Sequence, residues 1–109
     1  MGYRIDLGEI EHVLSTLPFI RENVVIPVYI NREVEGLKLV YTSERECVKD
    51  ILYKLKKILP SYMIPKYFTH LKQLPKNQCN KVDRAGIKEK HGKAIRETDN
   101  NMDIIDTLD

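Results

Sequence analysis

Two cysteines in 109 residues, Cys47 and Cys79, are too few to staple a small domain together. The fold must therefore rest on a hydrophobic core, and a reduced, cytoplasmic setting is the simplest reading. No apolar run approaches the roughly 18–20 residues that span a bilayer, and the first residues carry no signal-peptide pattern, so no membrane partner is expected. Charge of one sign is also scarce. The net charge is +2, too small to argue for a nucleic-acid partner. Metal-ligand spacing is missing: His12, His70 and His91 are scattered, and neither cysteine has a Cys or His partner nearby. A nucleophile elbow, a phosphate-binding loop, a dinucleotide fingerprint and internal repeats are absent as well. Cys79 stands two residues from Lys81, but one lysine beside a loop cysteine does not make a nucleophile, and an inert thiol is the better reading.

What is present reads as one domain with a modest core. Hydrophobic residues make up 42% and charged residues 31%, the ordinary balance of a soluble globular chain. From Lys93 to Asp109 there are two basic residues against five acidic ones, which puts −3 on the tail and leaves +5 on the body. Residues 1–92 therefore read as the folded unit and 93–109 as a disordered acidic extension. The chain enters a structured pattern at "MGYRIDLGEIE" with no lead-in, as a chain continuing upstream would.

Periodicity gives the elements. Ile10, Val13, Leu14 and Leu17 form one apolar face of a helix over 9–17, with Asp6 and Glu9 as a capping pair and Pro18 as the stop. "NVVIPVYI", 23–30, reads as a strand that Pro27 confines to an edge or a bulge. "NREVEG" reads as a polar turn. "LKLVYT", 37–42, alternates Leu37, Leu39 and Tyr41 on one face, as a half-buried strand does, and pairs with the first strand as a hairpin. Ser43-Glu44-Arg45-Glu46 reads as a capping box for a second helix whose buried stripe is Val48, Ile51, Leu52, Leu55, Ile58 and Leu59. Lys54, Lys56 and Lys57 suit the carbonyl end of that helix, and Pro60 closes it. Lys66–Leu71 reads as a third strand and Asp83–Lys90 as a short last helix with Ile87 inward, ended by Gly92. The fold class is α+β, a small three-stranded sheet with flanking helices.

Two segments stand apart. "GYRIDLGEIE" offers a flexible glycine, an aromatic, an arginine and a capped helix start. Glu9 and Glu11 there read as structural or capping residues. "LPSYMIPKYF…LPKNQCNKVDR" offers a lysine, Lys81, on a turn. Such a lysine is a mobile point charge suited to phosphate or carboxylate oxygens, although from the residues alone a solvated surface charge is the better reading.

In order and spacing these segments resemble three motifs of the C-terminal small domain of adenylate-forming enzymes, specifically the amino-acid adenylation domains of non-ribosomal peptide synthetases. "GYRIDLGEIE" is similar to the family's G-[YF]-R-I-E-L-G-E-I-E, "LPSYMIPKYF" to L-P-x-Y-M-I-P, and "CNKVDR" to N-G-K-[VIL]-D-R. The resemblance covers residues 2–91, and D-alanine–carrier-protein ligases share it. It implies a lid that closes over an N-terminal core holding ATP, Mg2+ and an amino-acid substrate. In one orientation Lys81 would meet the substrate carboxylate and the α-phosphate as the acyl-adenylate forms. In the other, Gly2, Tyr3 and Arg4 would line the tunnel through which the phosphopantetheine thiol of a carrier protein attacks. Asp83 and Arg84 would brace the lysine loop. The isolated chain would be inactive.

Cys79-Asn80 replaces the family's Asn-Gly. Asn is the best non-glycine residue for a left-handed turn, so the backbone can persist, but the side-chain hydrogen bonds of the usual Asn are lost. A degenerate domain that only docks a carrier protein is one alternative. An RNA-binding module is another: Tyr62, Tyr67 and Phe68 near Lys66 could stack bases, though there is no glycine–aromatic RNA-binding strand and no continuous basic stripe.

Overall fold

Asp6 starts the first helix, and starts it early. In a computed structural model, which describes residues 5–92, its carboxylate accepts hydrogen bonds from the backbone N–H of Gly8 (2.9 Å) and Glu9 (3.3 Å). Helix α1 therefore spans Leu7–Ser15 rather than 9–17. It also stops short, at Thr16, because Pro18 biases the residue before it away from helical backbone. Gly2, Tyr3 and Arg4, and the tail 93–109, lie outside the described residues.

Strands β1 (Glu22–Ile30) and β2 (Glu33–Thr42) form an antiparallel hairpin. The expected six-residue turn is in fact two residues, Asn31 and Arg32, with φ of 53° and 68°. Two successive left-handed residues match the twist of the flanking strands, so pairing resumes at once with Ile30 opposite Glu33. Glu35 is left over in a bulge, where Val28 pairs with Gly36 and Tyr29 with Val34. Arg32 carries a Cβ that disfavours its backbone conformation. Arg32→Gly gives the favoured Asn-Gly turn and is expected to stabilise the domain by about 0.5 kcal/mol, as left-handed strain relieved exceeds the entropy lost. A urea midpoint that stays put or falls would refute this.

Helix α2 (Val48–Ile58) carries the chain to β3 (Tyr67–Leu71), which lies parallel to β2. A 3-10 turn, Ser61–Met63, intervenes, and helix α3 (Arg84–His91) ends the fold. The sheet order is β1-β2-β3, so β1 is an edge, as Pro27 implied. That edge is closed against further pairing. The Val25 N–H donates to the Glu11 carboxylate, Pro27 has no N–H, and the Tyr29 N–H donates to the Gly92 carbonyl.

β2 is not half-buried but covered on both faces from Leu37 to Thr42. Leu37, Leu39 and Tyr41 pack with Ile10 and Leu14 of α1 and Ile51 and Leu55 of α2. Val40 packs on the other side with Val24, Ile26, Leu74 and Ile87. This second, smaller core holds the loop after β3 and helix α3 against the sheet.

The start of α2 differs from expectation. Ser43 does not cap it. Its hydroxyl donates to the Arg45 carbonyl (2.5 Å), and the helix begins later, with Cys47 at the cap position making no side-chain cap bond. Glu46 accepts from the Val48 N–H (2.8 Å), and the Tyr41 hydroxyl accepts from the Cys47 N–H (3.3 Å). The chain leaving β2 needs a tight turn first, and Ser43 is spent on it. Ile58, expected in the buried stripe, is 53% exposed, because Leu59 takes the inward position at the end of the helix.

Candidate functional site

Lys81 sits on a hairpin between Lys76 and Val82, which pair as an antiparallel bridge. The Asn77 N–H donates to the Lys81 carbonyl (2.8 Å), the Asn80 N–H to the Asn77 carbonyl (2.9 Å), and the Asp83 N–H to the Pro75 carbonyl (2.9 Å). The side chain of Asn77 fills the turn from inside. Its Oδ1 accepts from the N–H of Cys79 (2.8 Å) and of Lys81 (3.1 Å). Side-chain hydrogen bonds are therefore present in this loop without an Asn at position 79. Asn80 takes the left-handed conformation, φ 64°, that its type tolerates. Lys81 is exposed, and among the described residues its ammonium has no hydrogen-bond or ion-pair partner.

Both flanks of the hairpin are tied down. Upstream, Lys76 Nζ meets Glu22 Oε2 of β1 at 2.9 Å. Downstream, Asp83 accepts from the Gly86 N–H (3.0 Å) and so caps α3. Arg84 then makes a two-pronged bond to Glu11 of α1, Nη1 to Oε2 at 2.9 Å and Nη2 to Oε1 at 2.5 Å. The Glu11 hydrogen bonds hold the Arg84 guanidinium above its ordinary basicity. Glu11 is thus no cap of its own helix; it bonds across to β1 and α3.

The structure joins Lys81, Asp83 and Arg84 in one hairpin-to-helix unit. Asn77, Glu11 and Glu22 belong to that unit and were not singled out for it from sequence. An Asn ahead of a turn is a recognisable signal. The two glutamates carry none, since their partners lie 73 and 54 residues away. Cys79 is exposed, whereas burial pushes the Cys47 thiol up and keeps it protonated. No group of three His, Cys, Asp or Glu side chains that could hold a metal ion occurs among the described residues, and no described helix is long and apolar enough to cross a membrane.

Comparison with known proteins gives the family of this three-stranded sheet with two cores and an exposed lysine on a braced hairpin. Residues 9–81 match the AMP-binding enzyme C-terminal domain, and the chain belongs to that family, part of the adenylate-forming ligase superfamily. It is 44% identical over 94 residues to the D-alanine–D-alanyl carrier protein ligase of Staphylococcus haemolyticus, covering 81% of this chain and 19% of that protein. Among solved structures it is similar to Klebsiella oxytoca NpsA in complex with 3-hydroxyanthranilyl-AMSN: TM-score 0.73, 27% identity, 82% of this chain and 18% of that one. It is also similar to a holo four-domain nonribosomal peptide synthetase bound to AMP and glycine: TM-score 0.71, 30% identity, 92% of this chain and 7% of that one. The chain spans about a fifth of the length of the curated relatives it matches.

Proposed function

We propose that this chain is the closing lid of a ligase that activates an amino acid with ATP and passes the acyl group to the phosphopantetheine thiol of a carrier protein. The observation that carries the reading is Lys81, an unpaired ammonium held out on a hairpin that is rigid at its base. In the first step a carboxylate oxygen attacks the α-phosphorus and the bond to pyrophosphate breaks. Two anions must approach, and an ammonium placed between them offsets their repulsion and stabilises the charge that builds on the phosphate oxygens. In the second step the thiol attacks the acyl carbon and AMP leaves. Gly2, which has no Cβ to crowd the tunnel, together with Tyr3 and Arg4, would then face the site. ATP, its Mg2+ and the amino-acid pocket belong to the rest of the protein, and the need for ATP and a carrier fits a cytoplasmic enzyme.

Within this class, the 44% identity to a D-alanine–carrier-protein ligase favours D-alanine as the substrate. The test is ATP–pyrophosphate exchange by the intact protein, scanned over D-alanine, glycine and the L-amino acids. Exchange with D-alanine at least tenfold above any other amino acid is expected. Exchange led by an L-amino acid or glycine would shift the reading to a peptide-synthetase type. Exchange with none would favour a domain that only docks its carrier.

A further inference from the structure

The internal hydrogen bonds of the Lys81 hairpin fix its shape, but they do not fix where it points relative to the domain. That direction depends on its flanks. The upstream tie, Lys76 to Glu22, is a single contact between two side chains each about one-third exposed. The downstream tie is of a different kind. The Glu11 side chain is only 12% exposed and accepts three hydrogen bonds, two from the Arg84 guanidinium and one from the Val25 N–H at 2.8 Å. An exposed ion pair between two mobile chains contributes little. Here the carboxylate is already locked to β1, and the planar fork of Arg84 binds it with both nitrogens, so the pair has one geometry.

Arg84 stands three residues after Lys81 and opens α3. Glu11 lies on α1, whose first turn follows directly on the segment from Gly2 to Asp6. The pair therefore connects the loop that would serve the first step to the helix that follows, in sequence, the segment proposed for the second. We propose that Glu11 is a positioning residue for Lys81, acting through Arg84. It holds the lysine hairpin at a fixed angle to α1 and β1 and does not itself touch substrate. This rests on the reading of Lys81 given above. A displacement of the ammonium of about 1 Å is enough to cost on the order of 10²-fold in rate.

The test is a double-mutant cycle in the intact protein, with Glu11→Gln, Arg84→Gln, Lys81→Ala and the pairs Glu11→Gln/Lys81→Ala and Arg84→Gln/Lys81→Ala. Arg84→Gln leaves Glu11 bonded to Val25, and so separates loss of the clamp from loss of the edge-strand contact. Pyrophosphate exchange is expected to fall about tenfold or more in either single glutamine variant. In the Lys81→Ala background the same changes should lower it no further, because Glu11 acts through a lysine that is gone. Transfer from synthetic aminoacyl-adenylate to the carrier should stay within about threefold of wild type. Hydrogen-exchange protection of the Asp83 and Gly86 amides, at the junction of the hairpin with α3, should drop in both glutamine variants. Equal losses with and without Lys81 would make Glu11 merely structural and overturn the proposal, as would exchange within twofold of wild type in both glutamine variants. If Lys81→Ala itself leaves exchange intact, the reading of Lys81 fails instead. The clamp then stands or falls on amide protection alone, with unchanged protection overturning it.

Discussion

Lys81→Ala is expected to lower amino-acid-dependent ATP–pyrophosphate exchange in the intact protein by about 10²-fold or more, the scale of one lost transition-state contact. The fold should hardly notice. Lys81 is exposed, outside both cores, and its backbone bonds, N–H to Asn77 Oδ1 and C=O from the Asn77 N–H, do not involve its side chain. A melting temperature within about 2 °C of wild type is expected for such a position. The contrast between a large kinetic loss and a small thermal one is the diagnostic. A large thermal loss would make the lysine structural, and no kinetic loss would make it a solvated surface charge. Transfer from preformed adenylate to the carrier should survive, since in the proposed second orientation other residues face the site.

The parts of the fold that depend on neighbours in sequence were legible. Asp6 caps α1, Pro27 lies on an edge strand, Ile87 points inward, and Asn80 takes the left-handed turn; each follows from a residue's own chemistry within a few positions. What failed required knowledge of distant partners. Alternation in 37–42 suggested one buried face, but Lys38, Val40 and Thr42 are buried too, because α3 and Leu74 return from some 30 to 50 residues later to cover the second face. Ser43-x-x-Glu46 has the spacing of a capping box, yet Ser43 still belongs to the end of the sheet, and its hydroxyl serves the turn that leaves it. The same limit governs the site. Three motifs named Lys81 and its immediate neighbours. Glu11 sat in one of those motifs and Arg84 in another, and only folding shows that the two motifs grip each other. The departure at Cys79-Asn80 looked like a loss of loop hydrogen bonds. In the structure Asn77, two residues earlier, holds the Cys79 and Lys81 amides instead.

Tyr41→Ala should have the largest effect on stability, about 3–5 kcal/mol, the cost of emptying an aromatic site in a packed core. Tyr41 is fully buried at the centre of the sheet, among Leu39, Ile51 and Leu55, with its ring 5.1 Å from that of His70. Its hydroxyl also receives the Cys47 N–H, so truncation leaves a donor unpaired at the entry to α2. For a domain of this size such a loss corresponds to a fall in melting temperature of more than about 12 °C. Tyr41→Phe keeps the ring and removes only the acceptor, and should cost about 1–2 kcal/mol. Burial pushes the Tyr41 phenol well above its ordinary value of 10.0, so the native state holds it neutral while the unfolded chain ionises it. The sign follows: stability is complete below about pH 10 and declines as the pH rises beyond it, because the unfolded state releases this proton first. Tyr41→Phe should flatten that decline in chemical-denaturation midpoints measured between pH 8 and about 11. An unchanged slope in Tyr41→Phe would mean that another group titrates there. A melting temperature near wild type in Tyr41→Ala would mean that α2 does not lean on the sheet through this ring.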